Sequence, residues 1–221
     1  MRLLAFAGLL ALAACESERI LPVDVLWMDW PAEVAANESF RTRLVVSQPC
    51  AVIRSFAPSP TSDASAVTFA PYFVAGNDVI YCGTDPVVSE VFVFGSLDTA
   101  GIAPGLFAPS DRTYEMRAAG GFSCPACNTA PWTTFGLISV RPTPLPPSAV
   151  RNAAGQAIFQ RDSLGCTRIR PSGSYGPGAA IVVENPPDST EQFSGFVRGY
   201  IHEPAAPVCG EARAFHFIGR Y

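Results

Sequence analysis

Proline and glycine are spread along the whole chain, and this distribution most limits the folds available to it. The 221 residues include 21 prolines and 18 glycines. Proline lacks a backbone hydrogen-bond donor and clashes with the preceding helical turn, and glycine destabilises a helix interior. After the first 14 residues, few segments long enough to form a helix lack both proline and glycine. The sequence therefore predicts strands rather than long helices.

Alternation of apolar and polar residues marks where those strands lie. In segment 40–46, Arg41 and Arg43 share one face, and the other face carries Phe40, Thr42, Leu44 and Val46. This is the period of a half-buried strand. The same pattern predicts strands at 23–30, 67–74, 88–94, 113–118 and 134–140. So many short strands within residues 23–141 indicate a sandwich of two sheets.

A proline-rich stretch divides the chain. Residues 142–148 read PTPLPPS, which favours a semi-rigid polyproline II linker and a domain boundary. In the second part, 149–221, strands are predicted at 156–161, 167–170, 179–184, 196–202 and 212–219. Five short strands in about 70 residues indicate a small β-barrel.

The N-terminus has the pattern of a secretory signal peptide. Arg2 precedes an uncharged apolar run over residues 3–14 that ends in small residues. Twelve helical residues span only about 18 Å, too short for a bilayer core of roughly 30 Å. The sequence therefore predicts a cleaved signal peptide over residues 1–14 rather than a transmembrane helix.

The signal ends in Leu12-Ala13-Ala14-Cys15, which resembles the lipobox of bacterial lipoproteins. The resemblance implies cleavage before Cys15, attachment of a diacylglycerol to its thiol and acylation, as with palmitate, of the new amine. Two or more acyl chains hold a protein stably at a membrane. The alternative is an ordinary signal peptide that leaves Cys15 as a free thiol.

The residues after the anchor are predicted to form a short tether, 15–22. Glu16 follows the cysteine, whereas the retention signal of the inner membrane favours aspartate there. The resemblance therefore favours the outer membrane of the bacterial cell envelope. Seven extended residues reach only about 25 Å, so the body is expected close to the bilayer.

Charge and composition exclude several functions. The formal net charge is −4, and all 15 basic residues are arginine. This balance does not favour nucleic acid as a partner. Without lysine, Schiff-base chemistry and the phosphate-binding P-loop are impossible. The motifs of zinc proteases, serine hydrolases, dinucleotide sites and calcium loops do not occur, and no cofactor is predicted.

Six further cysteines follow Cys15. An even number in an oxidising compartment predicts three disulfides, although fifteen pairings are formally possible. If each domain closes its own bridges, the pairs are Cys166–Cys209, Cys50–Cys82 and Cys124–Cys127.

The spacing of Cys124-Pro125-Ala126-Cys127 is also that of a thioredoxin-like redox motif. Such chemistry needs the first cysteine at a helix N-terminus, which lowers its pKa. Gly120, Gly121 and Pro131 leave little room for a helix here. A structural disulfide is therefore favoured, with redox catalysis, other pairings or a metal as alternatives.

The chain has two histidines, His202 and His216. His202-Glu203-Pro204 ends a predicted strand, and we expect a solvated turn there, with a functional site as the alternative. His216 alternates with Ala214 and Ile218, which indicates a partly buried structural residue. No metal site is predicted.

Arg168 and Arg170 share a face of one predicted strand, close in sequence to many aromatic residues. On an oligonucleotide- or oligosaccharide-binding (OB) barrel, such a face can bind nucleic acid or glycan. The charge and export argue against nucleic acid. Most of the aromatic residues are expected in the core: Phe159, Phe193, Phe196, Tyr200, Phe215 and Phe217.

Both halves resemble domains of bacterial envelope proteins. The first resembles an immunoglobulin-like domain through Pro31-Ala32-Glu33-Val34, Asn37-Glu38-Ser39-Phe40 and Tyr114-Glu115-Met116-Arg117. The second resembles small, OB-like lipoprotein barrels through Gly165-Cys166, Val197-Arg198-Gly199-Tyr200-Ile201 and Cys209. Neither resemblance implies a catalytic residue.

These observations predict a non-enzymatic envelope lipoprotein that acts in binding, adhesion or assembly, with an envelope protein or glycan as partner. One alternative is a thiol–disulfide redox protein that uses Cys124 and Cys127. Another is a lipoprotein that binds a small ligand, which requires a concave pocket. An enzyme based on His202 is a further alternative.

Overall fold

The computed structural model describes residues 19–47, 53–57, 60–63, 65–75, 87–93, 112–119, 132–141, 149–172, 179–187 and 193–220. Every regular element in these ranges is a β-strand, which confirms the predicted all-β class. Among these residues, no helix has the length and apolar character needed to cross a membrane. The strands are β1 Arg19–Pro22, β2 Val25–Pro31, β3 Glu33–Ala35, β4 Phe40–Val46, β5 Ile53–Ala57, β6 Pro60–Ser62, β7 Ala66–Phe69, β8 Tyr72–Ala75, β9 Val87–Val93, β10 Arg112–Ala119, β11 Trp132–Arg141, β12 Arg151–Arg161, β13 Thr167–Pro171, β14 Ile181–Val183, β15 Phe193–His202 and β16 Ala214–Arg220.

Strands at all the predicted positions are present, with two notable differences. The predicted strand 67–74 is interrupted before Pro71 and forms β7 and β8, which belong to different sheets. The predicted strand 156–161 begins earlier, at Arg151. Four short strands of three to five residues were not predicted: β1, β3, β5 and β6.

Strands β12 to β16 close into a small barrel, which confirms the barrel predicted for the second half. The ring order is β12-β13-β14-β16-β15, with β15 pairing again with β12. Neighbours are antiparallel except β14 and β16. In the connection from β15 to β16, Cys209 and Gly210 have φ angles of 50° and 79° and form a tight turn. Such left-handed pairs suit two-residue hairpin loops.

A disulfide closes one end of the barrel. Cys166 and Cys209 are bonded with a Cα–Cα distance of 6.2 Å, which confirms one predicted bridge. The Arg168 side chain forms ion pairs with Asp162 Oδ2, at 3.0 Å, and with the Glu211 carboxylate. The proline-rich linker, the lipobox and the other five cysteines lie outside the described residues: Cys15, Cys50, Cys82, Cys124 and Cys127.

Strand β12 is shared between the barrel and a larger sheet. One of its edges pairs with β2 over residues 151–155 and then with β13 over residues 157–161. At the changeover Gly155 has a φ of 141°, and a Cβ there would lie 2.3 Å from the Leu26 carbonyl oxygen. Only glycine allows this approach. The sheet therefore continues through β2, β4 and β9, and the division into two domains stays a prediction.

The remaining described strands form two sheets. One has the order β3-β11-β10-β7-β6 and the other β1-β8-β5. The pairs β3–β11 and β7–β10 are parallel, and the others are antiparallel. These pairings agree with a layered all-β arrangement, whereas the immunoglobulin-like assignment stays a prediction.

Two apolar cores lie on opposite faces of β2 and β4. Met28, Trp30 and Leu44 pack with the other sheets in one core. Trp27 and Val45, on the opposite faces, pack inside the second core with barrel residues such as Phe215. The strand period thus sends successive residues into different cores. Trp27, Met28 and Trp30 are all buried.

Candidate functional site

An arginine-lined pocket of about 280 Å³ lies where the barrel meets β2 and β4. Three of its lining residues come from the first half of the chain, and two come from the barrel half. The lining consists of Asp29 on β2, Arg41 and Arg43 on β4, Arg151 on β12 and Arg213 just before β16. The pocket is therefore assembled by the pairing of β12 with β2.

The alternation of β4 explains why two arginines line this pocket. Phe40, Leu44 and Val46 pack into the first core. Arg41 and Arg43 lie on the opposite face, in line with Val45. Sequence alone identified this face as polar, and the structure places it beside the barrel rather than leaving it wholly to solvent.

Asp29 and Arg151 form the fixed part of the pocket. The Arg151 Nε donates to Asp29 Oδ1 at 2.8 Å, and its Nη2 donates to the carbonyl oxygens of Asp29 and Arg41 at 2.9 and 3.1 Å. Asp29 is only 3% exposed. Its Oδ2 is buried and has no hydrogen-bond partner within the described part of the chain. One arginine is thus held rigidly by a buried carboxylate.

The electrostatic balance of the pocket is positive. Four arginines face one carboxylate among the lining residues. The lining residues therefore carry an excess of positive charge. Guanidinium groups present planar pairs of donors that match carboxylate and phosphate oxygens. The pocket is chemically suited to an anion.

A second constellation lies on the outer face of the barrel. His202 Nε2 is 3.0 Å and His216 Nδ1 is 2.9 Å from the same oxygen, Oε2 of Glu184. The ligand-capable atoms of all three side chains lie within 4.8 Å of one another. The hydrogen bond to His216, then that to His202, lowers the pKa of the Glu184 carboxyl. Two imidazoles and one carboxylate therefore converge on one point.

Strand pairing assembles this cluster. Val183 pairs with Phe215 on the parallel strand β16, which brings the next residues, Glu184 and His216, side by side. Tyr200 of β15 pairs with His216, and their rings are stacked with centroids 4.8 Å apart. His202 follows two residues later on the same face of β15.

Asn185 anchors the rim of the cluster. Its side chain donates to the Phe217 carbonyl and accepts from the Phe217 backbone N–H, each at 2.7 Å. The same amide nitrogen is 3.4 Å from His216 Nε2. As a donor, this nitrogen favours the His216 tautomer with its proton on Nδ1, directed at Glu184.

The structure shows His216 partly buried, as predicted, and places His202 at the end of β15. His202 contacts Glu184, a residue that the sequence analysis did not single out, and the neighbouring Glu203 is not part of the cluster. No sequence signal links Glu184 to the histidines, because the link depends on the parallel pairing of β14 with β16.

On the predicted arginine face of β13, Arg168 forms ion pairs within the protein, with Asp162 and Glu211. Among the aromatic residues near it, Phe159 and Phe215 are buried, as predicted. Tyr200 instead lies on the outer face with the histidines.

Comparisons of this chain with protein-family models, with curated proteins and with solved structures find no match.

Proposed function

We propose that this chain is a lipid-anchored protein of the bacterial cell envelope that binds a small anionic ligand, such as an acidic sugar, in the arginine-lined pocket. The observation that carries the ligand is the pocket itself, with four arginines at the junction of the barrel and β4. The Leu12–Cys15 lipobox motif supports the anchor, with the outer membrane favoured by Glu16.

The size and chemistry of the pocket favour a single small group. Sites for drug-sized molecules measure about 300–1,000 Å³, and this pocket is just below that range at about 280 Å³. The arginines favour a carboxylate or phosphate. A uronic acid or a sugar phosphate carries such a group.

The strand order of the barrel supports the OB-like assignment made from the sequence. In OB barrels the strands follow the ring order 1-2-3-5-4, with the third and fifth parallel, and β12 to β16 follow that order. Such domains bind oligosaccharides or oligonucleotides on strands 2–3 and on the loops after strands 1 and 4. Arg213 belongs to the second of these loops. The immunoglobulin-like sandwich remains a proposal for the first half.

Ligand titration tests the pocket. Glucuronate, glucose 6-phosphate, inorganic phosphate and neutral glucose are added to the full-length protein in detergent, and binding is followed by calorimetry. We expect the acidic sugars to bind and glucose not to bind. Losing one charged hydrogen bond costs about 1.5–3 kcal/mol, so Arg43→Gln and Arg213→Gln should weaken binding by about tenfold or more.

Arg220→Gln is the matched control, because it removes the same charge from a residue outside the pocket lining. Its affinity should stay at the wild-type value. Equal weakening in all three variants would indicate a general charge effect, and absence of binding by every anion would overturn the proposed ligand class.

Fractionation and lipid labelling test the anchor. In the native host, Cys15→Ala should abolish labelling by radioactive palmitate and release the chain from membranes. Glu16→Asp should shift the protein from the outer to the inner membrane. A Cys15→Ala protein that remains in the membrane fraction would contradict the anchor without bearing on the pocket.

The redox alternative rests on Cys124 and Cys127. A count of reactive thiols and an insulin-reduction assay separate it from binding. A reducible Cys124–Cys127 pair with insulin-reducing activity would favour the redox function, whereas thiols that are all bonded and inert would favour a structural bridge.

A further inference from the structure

We propose that Glu184, His202 and His216 form a binding site for one divalent transition-metal ion of the zinc class on the outer face of the barrel. This inference goes beyond the proposed ligand function and does not depend on it. It rests on the convergence of three ligand-capable side chains from β14, β15 and β16, without any shared residue with the arginine-lined pocket.

The spacing of the donor atoms is close to that of a tetrahedral metal site. Bonds of about 2.0–2.2 Å place neighbouring zinc ligands about 3.3 Å apart. The Glu184 Oε2 is 3.0 Å from His202 Nε2 and 2.9 Å from His216 Nδ1. These two distances need to lengthen by only a few tenths of an ångström. The three ligand atoms lie within 4.8 Å of one another, so the two histidine nitrogens must approach each other by up to about 1.5 Å, through rotation of their side chains, to reach the tetrahedral spacing.

The chemistry of the ligands selects the class of metal. Imidazole nitrogens with one carboxylate suit zinc, cobalt, nickel and copper. Calcium and magnesium prefer sets of oxygen ligands, of which this cluster offers only one residue. With three protein ligands, a fourth position stays open for water or for a group from a bound partner.

The cluster is held in place before an ion arrives. Stacking on Tyr200 restricts the His216 ring. The backbone of Glu184 is tied to β16, since its N–H donates to the Phe215 carbonyl at 3.0 Å. Supporting contacts of this kind reduce the entropy lost on binding.

Binding requires a change of tautomer. The ring protons now directed at Glu184 must leave His202 Nε2 and His216 Nδ1, since a coordinating nitrogen carries no proton. Each proton moves to the other ring nitrogen through solvent, so the charges of the ligands are unchanged. Access is available because the His202 and His216 side chains are 18% and 34% exposed.

Cobalt absorption spectroscopy tests the site. The full-length protein is purified in detergent without a polyhistidine tag, and its free thiols are alkylated so that cysteine cannot bind the ion. Co²⁺ is titrated while the visible absorption bands are recorded, and Zn²⁺ is then added as a competitor. We expect one Co²⁺ per chain, with nitrogen and oxygen ligation, displaced by Zn²⁺.

Variants locate the ion. Glu184→Gln and His202→Ala should each weaken binding by about tenfold or more, the scale on which even supporting residues of metal sites act. Glu203→Gln is the matched control, because it removes the same charge from the residue beside His202 and should leave the affinity unchanged. Circular dichroism verifies that each variant is folded.

The outcomes are distinct. No cobalt bands in the wild type, or equal affinity in wild type, Glu184→Gln and His202→Ala, would overturn the site. Loss in both cluster variants with retention in Glu203→Gln supports it. Glucuronate binding is measured on the same samples, so failure of the metal site and failure of the anionic pocket are told apart.

Discussion

The barrel and the sheets that precede it in the sequence differ in whether their edge strands are paired. Strands β12 to β16 pair in a closed ring, and a disulfide ties two of their connections. The described strands before residue 141 form open sheets, and one of these extends from the barrel through β12. Closure removes exposed edges, so each barrel strand has two neighbours within the barrel. Outside it, β2 pairs with β12 of the barrel and connects β4 and β9 to it.

The two regions also share their apolar cores. Trp27 and Val45 belong to the barrel core, and Ala154 of β12 belongs to the other core. Phe135 of β11 contacts Phe196 of β15 with ring centroids 5.5 Å apart. The two regions are therefore distinct in topology, but their side chains pack together. We expect them to lose stability together, and the following predictions test this.

The largest expected effect is loss of the disulfide. The bonded cysteines are 43 residues apart, and a loop of that size corresponds to about 4 kcal/mol of stabilisation by chain entropy. Replacing Cys166 and Cys209 by serine should lower the free energy of unfolding by roughly that amount, measured by urea denaturation. Trp27 lies in the barrel core and Trp30 in the other core, so tryptophan fluorescence monitors both regions. If the regions are coupled, fluorescence shows a single unfolding transition, shifted to lower urea. Two transitions, of which only one is shifted, would separate the two regions.

The second effect concerns the shared strand. Gly155→Ala places a Cβ against the backbone of β2 and a non-glycine residue at a φ of 141°. We expect a loss of about 3 kcal/mol, seen as a lower midpoint of urea unfolding. Gly219→Ala is the control, since nothing lies within 4 Å of its added Cβ. A Gly155→Ala protein as stable as the control would contradict the close approach of β12 and β2.

A third effect is expected at the junction between the regions. Arg151→Met removes the partner of Asp29, whose side chain is 5% exposed, while that of Arg151 is 24% exposed. An uncompensated buried carboxylate is costly, and partial exposure reduces the loss to about 2 kcal/mol. Adding Asp29→Leu should restore most of the stability. Failure of the double variant to recover in thermal melts would assign the loss to packing rather than charge.

The smallest expected effect is on the stability of two turns, one in each region, each of which has an aspartate that accepts backbone hydrogen bonds. Hydrogen bonds from the backbone N–H and then the hydroxyl of Ser65 lower the pKa of Asp63. The backbone N–H of Cys166 and then the side chain of Arg168 lower the pKa of Asp162. A lowered pKa stabilises the fold above the unfolded value of about 3.9, and this stabilisation is lost as the pH falls through the folded pKa.

Asp63→Asn and Asp162→Asn should therefore melt slightly below the wild type at neutral pH. Both differences should shrink below about pH 4. A difference that is independent of pH would show that the carboxylate charge is not responsible. A difference for Asp162→Asn alone would show that only the barrel turn contributes.

The local patterns of the chain predicted its strands well, but not their partners. The alternation in 40–46 fixed the faces of β4, because side chains of a strand point alternately to opposite sides. It could not reveal that Arg41 and Arg43 would meet Arg151 and Arg213, since those contacts join residues far apart in sequence. The sequence shows a proline, Pro71, within the predicted strand 67–74. It does not show that the residues on either side of this proline join different sheets.

By itself, the sequence determined the all-β class, the small barrel of the second half and the Cys166–Cys209 bridge. The first two follow from local composition and strand period, and the bridge follows from the assumption that each half of the chain closes its own disulfides. Only the tertiary structure decided that β12 pairs with β2 and that β14 lies beside β16. Those pairings build the arginine-lined pocket and the cluster of Glu184 with His202 and His216. Strand pairing is a long-range choice, governed by the packing of whole sheets, and no local pattern encodes it.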